Sequence, residues 1–183
     1  MADLSPGGAP SSIVLVGMMG AGKSAVGRRL ARRLGWDLLD SDHQVEEMTG
    51  RTVPEIWRAD GEAAFRRLES QVLADALAST TPKVIAAAGG VVLGEGNRRL
   101  LGLHRPVVWL RAPLETLIAR VRRGEGRPLL DDDPAGAMTR LEAERRPLYE
   151  EVADLVVDVD NDHPADWVTE RIVQALGLSG ASA

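Results

Sequence analysis

Short apolar, β-branched runs alternate along this chain with stretches in which apolar residues recur every three or four positions. Residues 13–16 form the first such run. After a glycine-rich stretch, Val26, Leu30 and Leu34 recur at helical spacing, and Arg28, Arg29, Arg32 and Arg33 fill the other face. A second strand is predicted from near Trp36 to Leu39. Residues 53–79 carry a long helical pattern from Gly61 onward, with Phe65, Leu68, Val72 and Leu73 on the inside. Residues 84–88 and 107–110 predict a third and a fourth strand. Pro113 stands where the first turn of a helix accepts proline, ahead of a helix over 114–121. Residues 155–158 predict a fifth strand and 167–176 a closing helix. Strands alternating with helices imply an α/β fold, a parallel sheet covered on both faces.

Two stretches break the rhythm. Residues 122–134 contain Gly124, Gly126, two prolines and the acidic run Asp131, Asp132, Asp133, the composition of a segment that closes over a site as a lid. Residues 1–11 read as a flexible leader and 179–183 as a disordered tail, leaving 12–178 as a single domain. Composition adds exclusions. With 44% hydrophobic and 27% charged residues the chain reads as a soluble globular protein. No apolar run approaches the roughly 18–20 residues of a membrane span. Cysteine is absent, which excludes disulfides and thiolate metal sites and fits a reducing cytoplasm. A net charge of −5 gives nucleic acid no global attraction. The only lysines are Lys23 and Lys83; every other cationic side chain of that class is arginine, the better bidentate partner for carboxylate and phosphate.

Candidate chemistry begins after the first strand. Gly17-Met18-Met19-Gly20-Ala21-Gly22-Lys23-Ser24 matches the phosphate-loop pattern, with a strand before it and an amphipathic helix after it. Glycines let backbone N–H groups curl around a phosphate, and the helix behind adds its positive end. The candidate ATP-binding residues are Gly20, Ala21, Gly22, Lys23, Ser24 and Ala25; Lys23 serves the β/γ phosphates and the Ser24 hydroxyl a magnesium ion. Past the second strand come Asp40 and Asp42. In an extended segment, residues two apart point to the same side, so both carboxylates face the crevice at the strand's carboxyl end. One could organise magnesium through water and the other accept a hydroxyl proton; a solvated acidic turn is the alternative.

Further motifs follow in order: Asp60-Gly61-Glu62 with Phe65, Arg66 and Glu69, then Gly89-Gly90, Arg127-Pro128-Leu129-Leu130, and Arg145-Arg146-Pro147-Leu148-Tyr149. From about residue 12 to 176 this ordered set resembles the shikimate kinase family of P-loop, nucleoside-monophosphate-kinase-like enzymes. The resemblance implies a three-layer α/β/α fold with a five-stranded parallel sheet in the order 2-3-1-4-5. It implies transfer of the γ-phosphoryl group of MgATP to the 3-hydroxyl of shikimate, with Mg2+ as cofactor; a cytoplasmic location accords with the absence of cysteine, and a monomer is the default expectation. It makes Asp42 the proposed base and a substrate contact, with Asp40 and Ser24 at the metal. Arg66 and Arg145 would hold the shikimate carboxylate, Gly90 would offer a backbone contact, and Glu69 would orient Arg66. Arg127 would reach the transferring phosphoryl group from a lid at about 122–134; the acceptor region would span about 41–71. Arg123 or Arg122, with residues 161–164, would lie near the adenine.

The chain departs from that pattern at Ala88, where the family carries a third glycine; the expectation is that Ala88 stays within the strand. His43, His104 and His163 lack metal-ligand spacing, and Trp36, Trp57, Trp109 and Trp167 read as packing residues. Two rivals remain. A kinase for another small hydroxy acid such as gluconate would keep the phosphate loop without both arginines. A regulatory nucleotide-binding protein would have lost Asp42, Lys23 or Arg127.

Overall fold

The computed structural model describes residues 12–122, 133–160 and 162–178. The expected leader, the greater part of the expected lid with Arg123 and Arg127, Asn161 and the expected tail lie outside the described residues.

All five residues of β1 (Ser12–Val16) are buried. A strand covered on both faces needs apolar side chains at successive positions, which is why the run shows no alternation. β1 is the middle of the sheet, flanked by β3 (Lys83–Ala86) and β4 (Val107–Arg111), with β2 (Asp37–Asp40) and β5 (Leu155–Asp158) at the edges. All pairings are parallel and the order is β2-β3-β1-β4-β5, the order the resemblance implies.

Helix α1 (Lys23–Leu34) buries Val26, Gly27, Leu30, Ala31 and Leu34. A Cβ on Gly27 would stand 3.0 Å from the Leu38 side chain, so this helix lies close on the sheet. Alongside it runs α7 (Ala165–Ala175). Arg29 pairs with Asp166 at 2.8 Å and Arg33 with Glu170 at 3.0 Å across that seam. Surface pairing thus accounts for much of the arginine-rich face; exposed pairs of this kind contribute about 0–1 kcal/mol each.

Four expectations are corrected. β2 runs straight into α2 (Ser41–Thr49), so Asp40 ends a strand and Asp42 lies in the first helical turn, not in an extended segment. α3 (Val53–Ala78) begins at Val53, where Thr52 and Glu55 form a capping box, and Gly61 (φ 78°, ψ 172°) breaks it instead of starting it. β3 ends at Ala86, so Ala88 lies beyond the strand. Besides α2, two further helices join those predicted, α4 (Glu95–Leu103) and α6 (Pro134–Val152), with α5 (Leu114–Val121) between them.

The main core surrounds the sheet. A second, smaller cluster of Val45, Ile56, Phe65 and Val72 lies between α2 and α3, with Leu39, Val53, Trp57 and Leu68 packed on it. Among the described residues no helix is long and apolar enough to cross a membrane.

Candidate active site

A cleft of about 570 Å3 opens where β1, β2 and β3 end. Its walls bring together Gly20, Gly22, Lys23, Ser24 and Ala25 from the phosphate loop and α1, Asp40 and Asp42 from the β2–α2 junction, and Arg66, Glu69, Gly90 and Arg145 from farther along the chain. These residues span more than a hundred positions in sequence and meet only because the strands that precede them are parallel neighbours.

The phosphate loop is built on backbone that side chains would obstruct. Gly17 has φ 140°, and a Cβ there would come 2.6 Å from the Leu110 carbonyl oxygen. Gly22 caps α1 in the left-handed region at φ 92°. The first turn of α1 holds no acidic residue, so nothing opposes the positive potential of that helix end. Lys23 Nζ donates to the carbonyl oxygens of Gly17 at 2.9 Å and Met18 at 3.1 Å, which holds the ammonium across the loop.

On the acceptor side the Asp42 residue is exposed at the mouth of the cleft, while its carboxyl sits inside the cleft with protein crowded around it. Burial pushes its carboxyl above the usual carboxylate range against the pull of Lys23; Asp40 and Glu46 push the same way as burial, and Arg66 opposes. Arg66 is held on several sides. Its Nη1 donates to Glu69 Oε2 at 2.6 Å, its Nε and Nη2 to Glu62 at 3.2 and 3.0 Å, and its guanidinium lies over the Trp57 and Phe65 rings at 5.5 and 5.6 Å. Glu69 is 2% exposed, and burial raises its carboxyl ahead of the opposing attraction of Arg66.

Arg145, from α6, is likewise 2% exposed, and its Nε has no hydrogen-bond partner among the described residues. A buried cation with spare donors at the wall of a cleft is suited to an anionic ligand. Gly90 lies directly against the other arginine: a Cβ there would stand 1.9 Å from Arg66 Nη1. Ala88 bears no strain, since no described residue other than glycine has positive φ; its N–H donates to the Ser41 hydroxyl at 2.7 Å.

Sequence reasoning missed Arg120. Its Nη1 donates to the Gly20 carbonyl at 3.1 Å and its Nη2 to the Asp160 carbonyl at 2.7 Å, so one guanidinium joins the phosphate loop to the turn after β5. It lines the cleft, whereas Arg122 is an exposed residue at the end of α5 and Arg123 lies outside the described residues. The signal available was the lone cation of a short helix, placed in its last turn. The Asp160 carboxylate in turn accepts from the Asp162 and His163 backbone N–H groups, both at 2.9 Å.

For a metal, the Ser24 hydroxyl and the Asp40 and Asp42 carboxylates supply hard oxygen donors on one cleft. Among the described residues no group of three or more His, Cys, Asp or Glu could hold an ion alone. That donor set fits magnesium, which keeps several waters and arrives with nucleotide phosphates.

Known proteins resemble this chain in sequence and in fold. A family model described as shikimate kinase matches residues 19–177. The shikimate kinase of Ruegeria pomeroyi is 46% identical over 90% of this chain and 84% of its own length, and that of Halorhodospira halophila is 47% identical over 91% and 94%. The structure of Acinetobacter baumannii shikimate kinase in complex with shikimate superposes with a TM-score of 0.88 at 38% identity, covering 92% of this chain and 93% of that one. With its phosphate loop, its pair of cleft arginines and relatives of this likeness along nearly all of its length, the chain belongs to the shikimate kinase family, the ATP-dependent small-molecule kinases of the shikimate pathway.

Proposed function

We propose that the chain transfers the γ-phosphoryl group of MgATP to the 3-hydroxyl of shikimate, giving shikimate 3-phosphate and ADP. The observation that carries this is the convergence of Arg66, Arg145 and Asp42 on one cleft that continues into the phosphate loop. Two guanidinium groups suit a small carboxylate, and a carboxylate of raised pKa beside Lys23 suits a hydroxyl proton.

In this reading the backbone of Gly20 to Ser24 and the Lys23 ammonium hold the phosphates, and Arg120 braces the loop toward the adenine side. Arg66 and Arg145 hold the acceptor by its carboxylate, which presents its hydroxyl to Asp42. Asp42 accepts the proton or, in a loose transition state that needs little proton removal, orients the hydroxyl for in-line attack. Lys23 stabilises charge on the transferring group; Arg127, outside the described residues, joins it on the strength of the family likeness. Magnesium, held by the Ser24 hydroxyl and Asp40, supplies charge neutralisation at the phosphate oxygens when bound. The same reading makes the enzyme a cytoplasmic monomer.

The test is ADP release with MgATP and a panel of shikimate, quinate, gluconate, a nucleoside monophosphate and no acceptor. Turnover with shikimate alone, over little background hydrolysis, is the expected result. Equal turnover with gluconate, or none with any acceptor despite MgATP binding, overturns the assignment.

A second expectation concerns Gly90. In Gly90→Ala the new methyl group meets a guanidinium pinned by two carboxylates, so Arg66 must leave its place. The KM for shikimate is expected to rise roughly tenfold or more while the KM for MgATP holds, because a misplaced bidentate partner loses a charge-assisted bond. Steady-state kinetics with each substrate varied in turn checks it.

A further inference from the structure

Tyr149 is the chain's single tyrosine and takes no part in the chemistry above. It is 1% exposed, and it follows Arg145 by one helical turn on α6, so the two side chains share a face. Its hydroxyl donates to the Gly89 carbonyl oxygen at 2.6 Å. The Arg145 guanidinium, one turn back on the same helix face, lies near enough to pull electrostatically on the phenol. Burial drives the phenol well above its ordinary range against the pull of Arg145, so it stays protonated and remains a donor. The ring stacks on Trp109 at 5.7 Å and 25°, which fixes where the hydroxyl can go. On the far side, Arg145 Nη1 would stand 3.6 Å from a Cβ on Gly89, the residue before Gly90.

One phenol therefore holds the glycine turn after β3, and Arg145 from the same helix face lies against that turn. Other described residues hold Arg66 from several sides, whereas the Nε of Arg145 has no hydrogen-bond partner among the described residues. We propose that Tyr149 is a positioning residue for the acceptor: its hydroxyl holds the Gly89 carbonyl, and so sets the spacing between the Gly90 backbone and the Arg145 guanidinium that lies against the same turn and grips the carboxylate. This rests on the reading of the cleft as the shikimate site. The bland alternative is a buried tyrosine whose hydroxyl merely satisfies a loop carbonyl.

The experiment is Tyr149→Phe, alone and combined with Arg145→Ala, alongside the wild type. The single variant is expected to raise the KM for shikimate about threefold to tenfold, as loss of a buried neutral hydrogen bond does, with the KM for MgATP within about twofold. In the Arg145→Ala background the second substitution is expected to add nothing further to the KM for shikimate, because Tyr149 acts through a side chain no longer there. An unchanged KM for shikimate, whatever the melting temperature, overturns the proposal. So does a parallel rise in both KM values, or full additivity in the double variant. A wild type that fails to use shikimate defeats the underlying functional reading instead, which separates the two failures. Should Tyr149→Phe fail to fold, 3-fluorotyrosine incorporation labels this one position. A fluorine resonance that moves with shikimate but not with MgATP supports the proposal, and one indifferent to shikimate sinks it.

Discussion

Asp42→Asn is expected to lower turnover with shikimate roughly a hundred- to ten-thousandfold, the usual reach of a positioned general base, while MgATP binds as before. The substitution keeps the shape of the side chain in the first turn of α2 and removes its charge and its basicity. In the proposed reading the MgATP contacts belong to the phosphate loop and α1, and the hydrogen bonds that hold Lys23 across that loop do not involve Asp42. The direction of the pKa shift supplies a second readout. Burial outweighs Lys23 and raises the Asp42 carboxyl, and the ionised form is the one that can take a proton. Activity of the wild type is therefore present above that raised pKa and lost as pH falls through it, at a pH higher than an ordinary aspartate would give. In Asp42→Asn this acid limb of kcat/KM is expected to vanish. Calorimetric titration with MgATP beside the pH–rate profile makes the check; near-normal turnover removes Asp42 from the mechanism.

Arg145→Ala has the next largest expected effect. Truncating one partner of a buried, hydrogen-bonded charge pair costs on the order of 2–5 kcal/mol, so shikimate affinity is expected to drop about thirtyfold or more. MgATP affinity should hold, since Lys23 and Arg120, and among the described residues not Arg145, hydrogen-bond the phosphate loop. Arg145 is also among the largest fully buried side chains, so its removal opens a cavity and the melting temperature should fall as well. Arg145→Lys separates the two effects: it keeps charge and much of the volume but loses the planar fork. If affinity for shikimate survives in both variants, the carboxylate is held elsewhere.

The central strands were legible because burial on both faces writes an uninterrupted apolar run, as at Ile13 to Val16. Helices whose inner faces are partly polar were not. α6 buries Arg145 and Tyr149 beside Ala137, Met138 and Val152, and Pro147 interrupts its pattern, so no apolar stripe announces it. α4 buries only Asn97 and Leu101. α2 offers just Ser41 and Val45 to the interior, which let Asp40 and Asp42 pass as extended backbone. The carboxylates reach one cleft all the same, because a helix that starts directly at a strand end brings its first turn to the rim of that strand. Candidate site residues were found through ordered motifs, in which residue type and spacing are fixed together. Arg120 belongs to no such motif, and its importance rests on two carbonyls a hundred and forty residues apart in sequence that only the fold brings near it.

The small cluster of Val45, Ile56, Phe65 and Val72 gives α2 and the first part of α3 a packing centre of their own, joined to the main core through Leu39 and the last turns of α3. A change of volume there is met first between α2 and α3, before it reaches the packing beneath the phosphate loop. Selection on a new acceptor, in nature or in a laboratory library, can therefore redraw this corner through a handful of positions while the nucleotide machinery stays under its own separate constraints.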